Sequence, residues 1–373
     1  MVWIVLFICW VDKLMDYRIA GYLTHTQFGV VVTSIFPLYV AAVAIHEAGH
    51  WFGGRWLGFI GIKFTVLWLN IERHGQHWRF KWAKRPAKLA GLVVHYPVGS
   101  RQLRLRKVAS VAAGPVANLA TGAVAILLSY ALAGPAGIIS SPARLLTVAE
   151  LQLFGLVSAF MGCANLLPRK LSNGMRNDGL LLWHLWRREP ALHRQLAVTA
   201  LMGSSYAGLR PRDWDSILLD HALASPDSSA LDCSAWLLAY SHHLDANRPD
   251  QARTLLYACL DKLSTLTSQS QQEVCCEAAY FEARHARNAA QAQQWLEQAQ
   301  QIKALDAADD YFTRAEVAWT LGKYEEAQTH FRRAEAEPLV LNANNAAGHI
   351  LALERIADLR ARLATVPATT APM

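Results

Sequence analysis

The chain has 373 residues, 53% of them hydrophobic, and a formal net charge of +7, which is room for two or three domains. Its six cysteines show neither C-x-x-C spacing nor the density of a secreted disulfide scaffold, so they read as free thiols. The basic excess would suggest nucleic acid in a soluble protein, but its placement along the chain reports membrane topology instead, and no nucleic-acid partner is expected.

The opening run, Met1–Val11, is apolar but short; it is either a trimmed first span or an uncleaved anchor. Three later segments approach the roughly 20 apolar residues of a spanning helix: Phe28 to about Phe52, Val108 to about Ala133, and Leu145 to about Leu167. At the end of the first of these stands H-E-A-G-H. On a helix His46 and His50 share one face and can hold one metal ion, with Glu47 placed to act on a water beside it. Ionisable residues in a membrane segment are costly, and three at ligand-and-base spacing point to function rather than packing.

Residues 62–106 hold ten Lys or Arg and one acid, Glu72, whereas the next loop, 134–144, holds only Arg144. By the positive-inside rule the first loop is cytoplasmic, and so is everything after the third span, which suits a bacterial inner membrane. Within 62–106 the period-two runs I-K-F-T-V-L-W-L-N and R-Q-L-R-L-R predict a small β element beside the site, or else an amphipathic segment held by anionic lipid. A catalytic zinc needs a third protein ligand beyond two histidines, and Asp178 is the acid nearest the membrane exit of the third span. The remaining histidines, among them His74, His77, His95, His242 and His243, are scattered singly, unlike the clustered boxes of membrane di-iron oxygenases. Tryptophans near the span ends read as an interfacial belt.

Taken in order, H-E-A-G-H at 46–50, Gly114-Pro115-Val116-Ala117-Asn118, Asn165-Leu166-Leu167-Pro168 and Asp178-Gly179 resemble H-E-x-x-H, G-P-x-x-N, N-x-x-P and D-G of the site-2 protease family of intramembrane zinc metalloproteases. The resemblance covers about residues 28–185. It implies hydrolysis of a peptide bond in or near a transmembrane segment, with Zn2+ held by His46, His50 and Asp178 and with Glu47 as general base. It also implies a membrane-protein or membrane-tethered substrate. Asn118 and Asn165 match family asparagines that either orient substrate or pack helices. The chain departs from the pattern in its longer spacing from Asn165 to Asp178, in Asn177 before the acid, and in Leu180 after Gly179.

Beyond Gly179, L-L-L-W-H-L-W-R-R predicts a short interfacial helix closed by Pro190, followed by helices broken at Gly203, Gly208 and Pro211. From about Asp232, Tyr311, Ala315, Gly322, Ala327, Phe331 and Ala334 resemble a tetratricopeptide repeat, and alanines 252, 292 and 327 mark equivalent positions of three copies. Such a stack would offer a concave surface to a cytoplasmic protein partner. The expected fold is thus mostly α: a 1–27 apolar segment, a 28–189 membrane metalloprotease core of three to four spans with a small β element, a 190–230 linker, 231–340 repeats, and a terminal helix and tail over 341–373. A second reading, from another functional class, is a membrane-anchored adaptor whose metal site is idle.

Overall fold

The computed structural model describes residues 24–74, 77–84, 90–133, 141–171, 174–224, 226, 230–302, 307–336 and 345–365. The opening run Met1–Val11 and the tail beyond 365 lie outside them. The chain forms two compact units, the first built mainly from residues up to Leu192 and the second mainly from His193 onward.

Among the described residues, three helices of the first unit are long and apolar enough to cross a membrane: α1 (His25–Trp56), α2 (Leu103–Ala133) and α3 (Pro142–Leu166). Apolar runs of this length fold as helices because, in hydrocarbon, only a helix or a closed barrel satisfies every backbone N–H and C=O. A capping box starts α1, where Thr24 accepts from the N–H of Gln27 and the Gln27 side chain returns to the Thr24 N–H. Side chains such as Phe36, Val124, Leu127 and Leu128 remain exposed on these helices, as suits membrane association.

Small residues let the three helices close on one another. A Cβ at Gly49 would strike Ala113 and Ala117 of α2, and Gly122 and Gly155 meet backbone to backbone between α2 and α3. One amide cross-links all three: Asn118, fully buried on α2, donates to the Ala42 carbonyl of α1 at 3.1 Å and to Ser158 of α3 at 3.0 Å.

Between α1 and α2 lies a four-stranded antiparallel sheet, β1 (Phe59–Val66), β2 (Leu69–His74), β3 (His77–Trp82) and β4 (Gly91–Pro97), in the order β3-β2-β1-β4. The expected small β element is therefore a four-stranded sheet, but the run R-Q-L-R-L-R at 101–106 is not part of it: after a turn at Arg101 and Gln102 it enters α2, where its basic side chains continue into an apolar helix. Lys63 faces Glu72 across β1 and β2 and pairs with it at 2.7 Å. Trp51, one turn past Glu47, anchors the sheet to α1 by packing edge-on against Phe64 and Trp78. Trp56, Trp82 and Trp186 are largely exposed, whereas Trp51 is a packing residue.

Past α3 the chain makes a short hairpin, in which Asn177 N–H bonds the Arg169 carbonyl and Leu171 N–H the Met175 carbonyl, before α4 (Asp178–Arg187) begins. Arg188, at φ 55°, ends α4 in a left-handed cap, and Pro190 opens α5 (Pro190–Tyr206) rather than merely closing its predecessor. Gly203 does not break α5; it is buried within it, and the break falls at Gly208, φ 87°.

The second unit continues through a 3₁₀ turn at Pro211–Asp213 and α6 (Ser216–Leu223) into three helix pairs. These are α7 (Ala230–Asp245) with α8 (Pro249–Leu260), α9 (Ser268–Phe281) with α10 (Ala289–Ile302), and α11 (Ala307–Thr320) with α12 (Tyr324–Ala336). A π-turn, Glu282–Ala286, follows α9. Ala252, Ala292 and Ala327 are all fully buried at the pair interfaces, with Leu256, Leu296 and Phe331 beside them. A last helix, α13 (Ala346–Ala364), runs across α9 and α11 and bonds to both.

Candidate metal centre

His46 and His50 sit one turn apart near the end of α1, both buried, and α4 delivers Asp178 to them from 132 residues away. The Asp178 Oδ2 is 3.0 Å from His46 Nε2 and 3.4 Å from His50 Nε2, and the two Nε2 atoms are 3.1 Å apart. Ligand atoms about 2.0–2.1 Å from a tetrahedral zinc stand about 3.3 Å from one another, so this triangle has the right edge length.

The outer bonds decide what those atoms are. His46 Nδ1 lies 2.9 Å from Asn118 Oδ1, and the amide cannot be turned round, because its nitrogen already donates to the Ala42 carbonyl. His50 Nδ1 lies 3.0 Å from the Ser110 carbonyl, which can only accept. Both rings therefore carry their proton on Nδ1 and turn an Nε2 lone pair inward, toward a carboxylate oxygen. Three acceptors facing one another at these distances repel unless a cation or protons lie among them, and a metal ion satisfies all three at once. The residues fit a divalent metal of the N/O-liganded kind.

Asp178 owes its position to its neighbour. Asn177 caps α4, its Oδ1 accepting from Leu180 N–H and Arg169 N–H at 3.0 Å each, while its amide donates to the carbonyls of Asn165 and Leu167. Asn177 thus pins the start of α4 to the end of α3, and Gly179 lets the two backbones touch, since a Cβ there would meet the Leu166 carbonyl.

Glu47 is buried beside His46, and Gly91 at the start of β4 leaves it room, because a Cβ there would collide with its carboxylate. Gly114 does the same for His50, whose ring any Cβ at that position would strike. His95 of β4 bonds the Ser110 hydroxyl at 2.9 Å, and burial, with Lys107 nearby, brings its pKa down to about 3. Ser110 thus joins two histidines, its carbonyl taking His50 and its hydroxyl pairing with neutral His95.

Of the residues singled out in the sequence, His46, Glu47, His50, Asp178 and Asn118 come together. Asn165 contributes its main-chain carbonyl, to Asn177. Asn177, Ser110 and His95 were not foreseen in these roles; only the position of Asn177 just before a helix-starting acid carries a signal, that of an N-cap. What the fold and site define is a mostly helical chain with three helices compatible with membrane spans and a His-His-Asp cluster of metal-ligand type. Comparisons with protein-family models, with curated proteins and with solved structures found no match.

Proposed function

We propose that this chain is a zinc-dependent intramembrane endopeptidase that hydrolyses a peptide bond in or near a transmembrane segment of a membrane-protein substrate. The observation that carries the reading is the convergence of three lone pairs, from His46, His50 and Asp178, at the end of a membrane-length helix with an acid at Glu47. A bound zinc ion supplies Lewis acidity to water and to the scissile carbonyl. Glu47 takes the proton of the attacking water and returns it to the leaving amine. Asn118 and Ser110 hold the two imidazoles in the tautomer that leaves Nε2 free. The resemblance to site-2 proteases and the positive-inside rule give the same picture, with the second unit in the cytoplasm.

The test is metal content followed by cleavage. Purified full-length protein should carry about one zinc per chain, and His46→Ala should lose it. Glu47→Gln should keep the zinc and abolish cleavage, and membrane proteomes of cells carrying Glu47→Gln or wild type should differ in the substrate. Metal-free wild type, or an unimpaired Glu47→Gln, defeats the reading.

A further inference from the structure

The second unit carries a relationship that does not depend on the metal centre. Helix α13 presents Arg355, Asp358, Leu359, Arg362 and Leu363 on one face, at positions i, i+3, i+4, i+7 and i+8. Opposite it the repeats present the complementary order of charge. Arg355 pairs with Glu277 of α9 at 2.7 Å, Asp358 with Arg284 of the π-turn at 2.9 Å, and Arg362 with Glu316 of α11. Plus, minus, plus on the helix thus meets minus, plus, minus on the repeats. Leu359 and Leu363 sit between these pairs against Ala315, Ala318 and Phe331.

Two features separate this from the ordinary end cap of a helical stack. A cap shields the apolar outer face of the last repeat. Here α13 reaches past the last pair to α9, and its start and middle bond still further back, Asn345 to Ser205 and Glu354 to Arg210. The composition of the contact also differs from that of the pairs themselves, which bury Ala, Leu and Cys completely. Along α13 three ion pairs flank a strip in which Leu359 and Leu363 are buried, so the contact combines apolar anchors with carboxylates and guanidinium groups that water can solvate if the helix leaves. The Arg355–Glu277 and Asp358–Arg284 pairs are partly exposed and contribute little affinity each but fix register and direction, whereas Glu316, paired with Arg362, is fully buried.

We propose that α13 is an intramolecular ligand of the repeat groove, and that the groove is a receptor for a helix of the pattern Arg-x-x-Asp-Leu-x-x-Arg-Leu which a partner segment of that chemistry can enter when α13 is displaced. In the resting chain the groove is closed to such partners.

The experiment uses the full-length chain with a protease site replacing residues 339–343 and a fluorescent synthetic peptide of residues 345–365. Before cleavage the protein should take up no peptide. After cleavage the labelled peptide should replace the cut helix, while a peptide carrying Asp358→Arg should bind roughly tenfold more weakly or worse. Chain Glu277→Arg should lose the wild-type peptide and accept one carrying Arg355→Glu. A cut helix that stays bound through prolonged dilution and never exchanges overturns the proposal. So does loss of hydrogen-exchange protection in α7–α10 when the helix is released, because α13 is then part of the repeat core.

Discussion

Asn118 Oδ1 accepts the Nδ1 proton of His46 at 2.9 Å, while the same amide donates to the Ala42 carbonyl one turn earlier on the helix that carries His46. The ring is thereby held from α2 with its Nε2 turned to Asp178. Partners of metal-binding histidines typically carry about 10- to 100-fold in metal affinity. Asn118→Ala is expected to weaken zinc binding by about that factor, and Asn118→Asp, which still accepts from Nδ1, by less. Competition with a chelator of known affinity reads both. Equal losses in the two variants would mean that Asn118 serves helix packing alone.

The Asn177 side chain makes four bonds in the segment that delivers Asp178, two of them to the end of α3. Its Oδ1 caps α4, and a lost cap costs about 1 kcal/mol. Asn177→Asp keeps the acceptor and removes both donors. The expected order of zinc affinity is therefore wild type, then Asn177→Asp, then Asn177→Ala, with hydrogen exchange over 165–182 accelerating in the same order. Unchanged affinity in Asn177→Ala would show that Asp178 reaches the histidines without the clamp.

Gly91 offers a way to separate metal binding from proton transfer. Its missing Cβ is the space that the Glu47 carboxylate uses, and it touches neither histidine. Gly91→Ala is expected to displace Glu47, leaving zinc content near that of wild type while cleavage falls by about 10²-fold or more, the usual scale of a misplaced general base. Gly114→Ala, which drives into the His50 ring, is expected to lose the zinc itself. Zinc stoichiometry and substrate cleavage measured on the same preparations distinguish the two outcomes.

Much of this was legible in the sequence because the relevant signals are local and periodic. The i, i+4 spacing of His46 and His50, the length of three apolar runs, and the recurrence of alanines 252, 292 and 327 each follow from the geometry of one helix or one helix pair. What was not legible lacks any period. The long spacing from Asn165 to Asp178 is absorbed by a hairpin whose ends meet at Arg169 and Asn177, and only backbone hydrogen bonds reveal that closure. The occupation of the repeat groove rests on charges 46 to 78 residues apart, which no window along the chain brings together. Gly203 stays helical because burial within α5 outweighs its weak intrinsic propensity.

Two carboxylates of the second unit make its stability fall in acid. Burial works against the charge of Glu277, but Arg355 and Tyr240 hold its pKa below the ordinary 4.5. Asp245, also opposed by burial, is held below 3.8 by Arg210 and the Arg212 N–H. A carboxyl with a depressed folded pKa binds more protons unfolded than folded, so its contribution is present above the ordinary value and lost as pH falls through the folded one. Glu316 runs the other way, since burial raises its pKa above 4.5 despite Arg362, and its share weakens as pH rises past that value. Burial also lowers the pKa of His243, and that of His285 to about 4, and both act in the same sense as the two carboxylates, so denaturant midpoints of the second unit, followed by hydrogen exchange in the full-length chain, are expected to decline as pH falls below about 6.5 and to drop further below about pH 4. Glu277→Gln, which removes one of the two depressed carboxylates, should flatten that drop. A midpoint that rises on acidification, or a slope that Glu277→Gln leaves unchanged, would show that the Glu277–Arg355 pair does not set the acid limit.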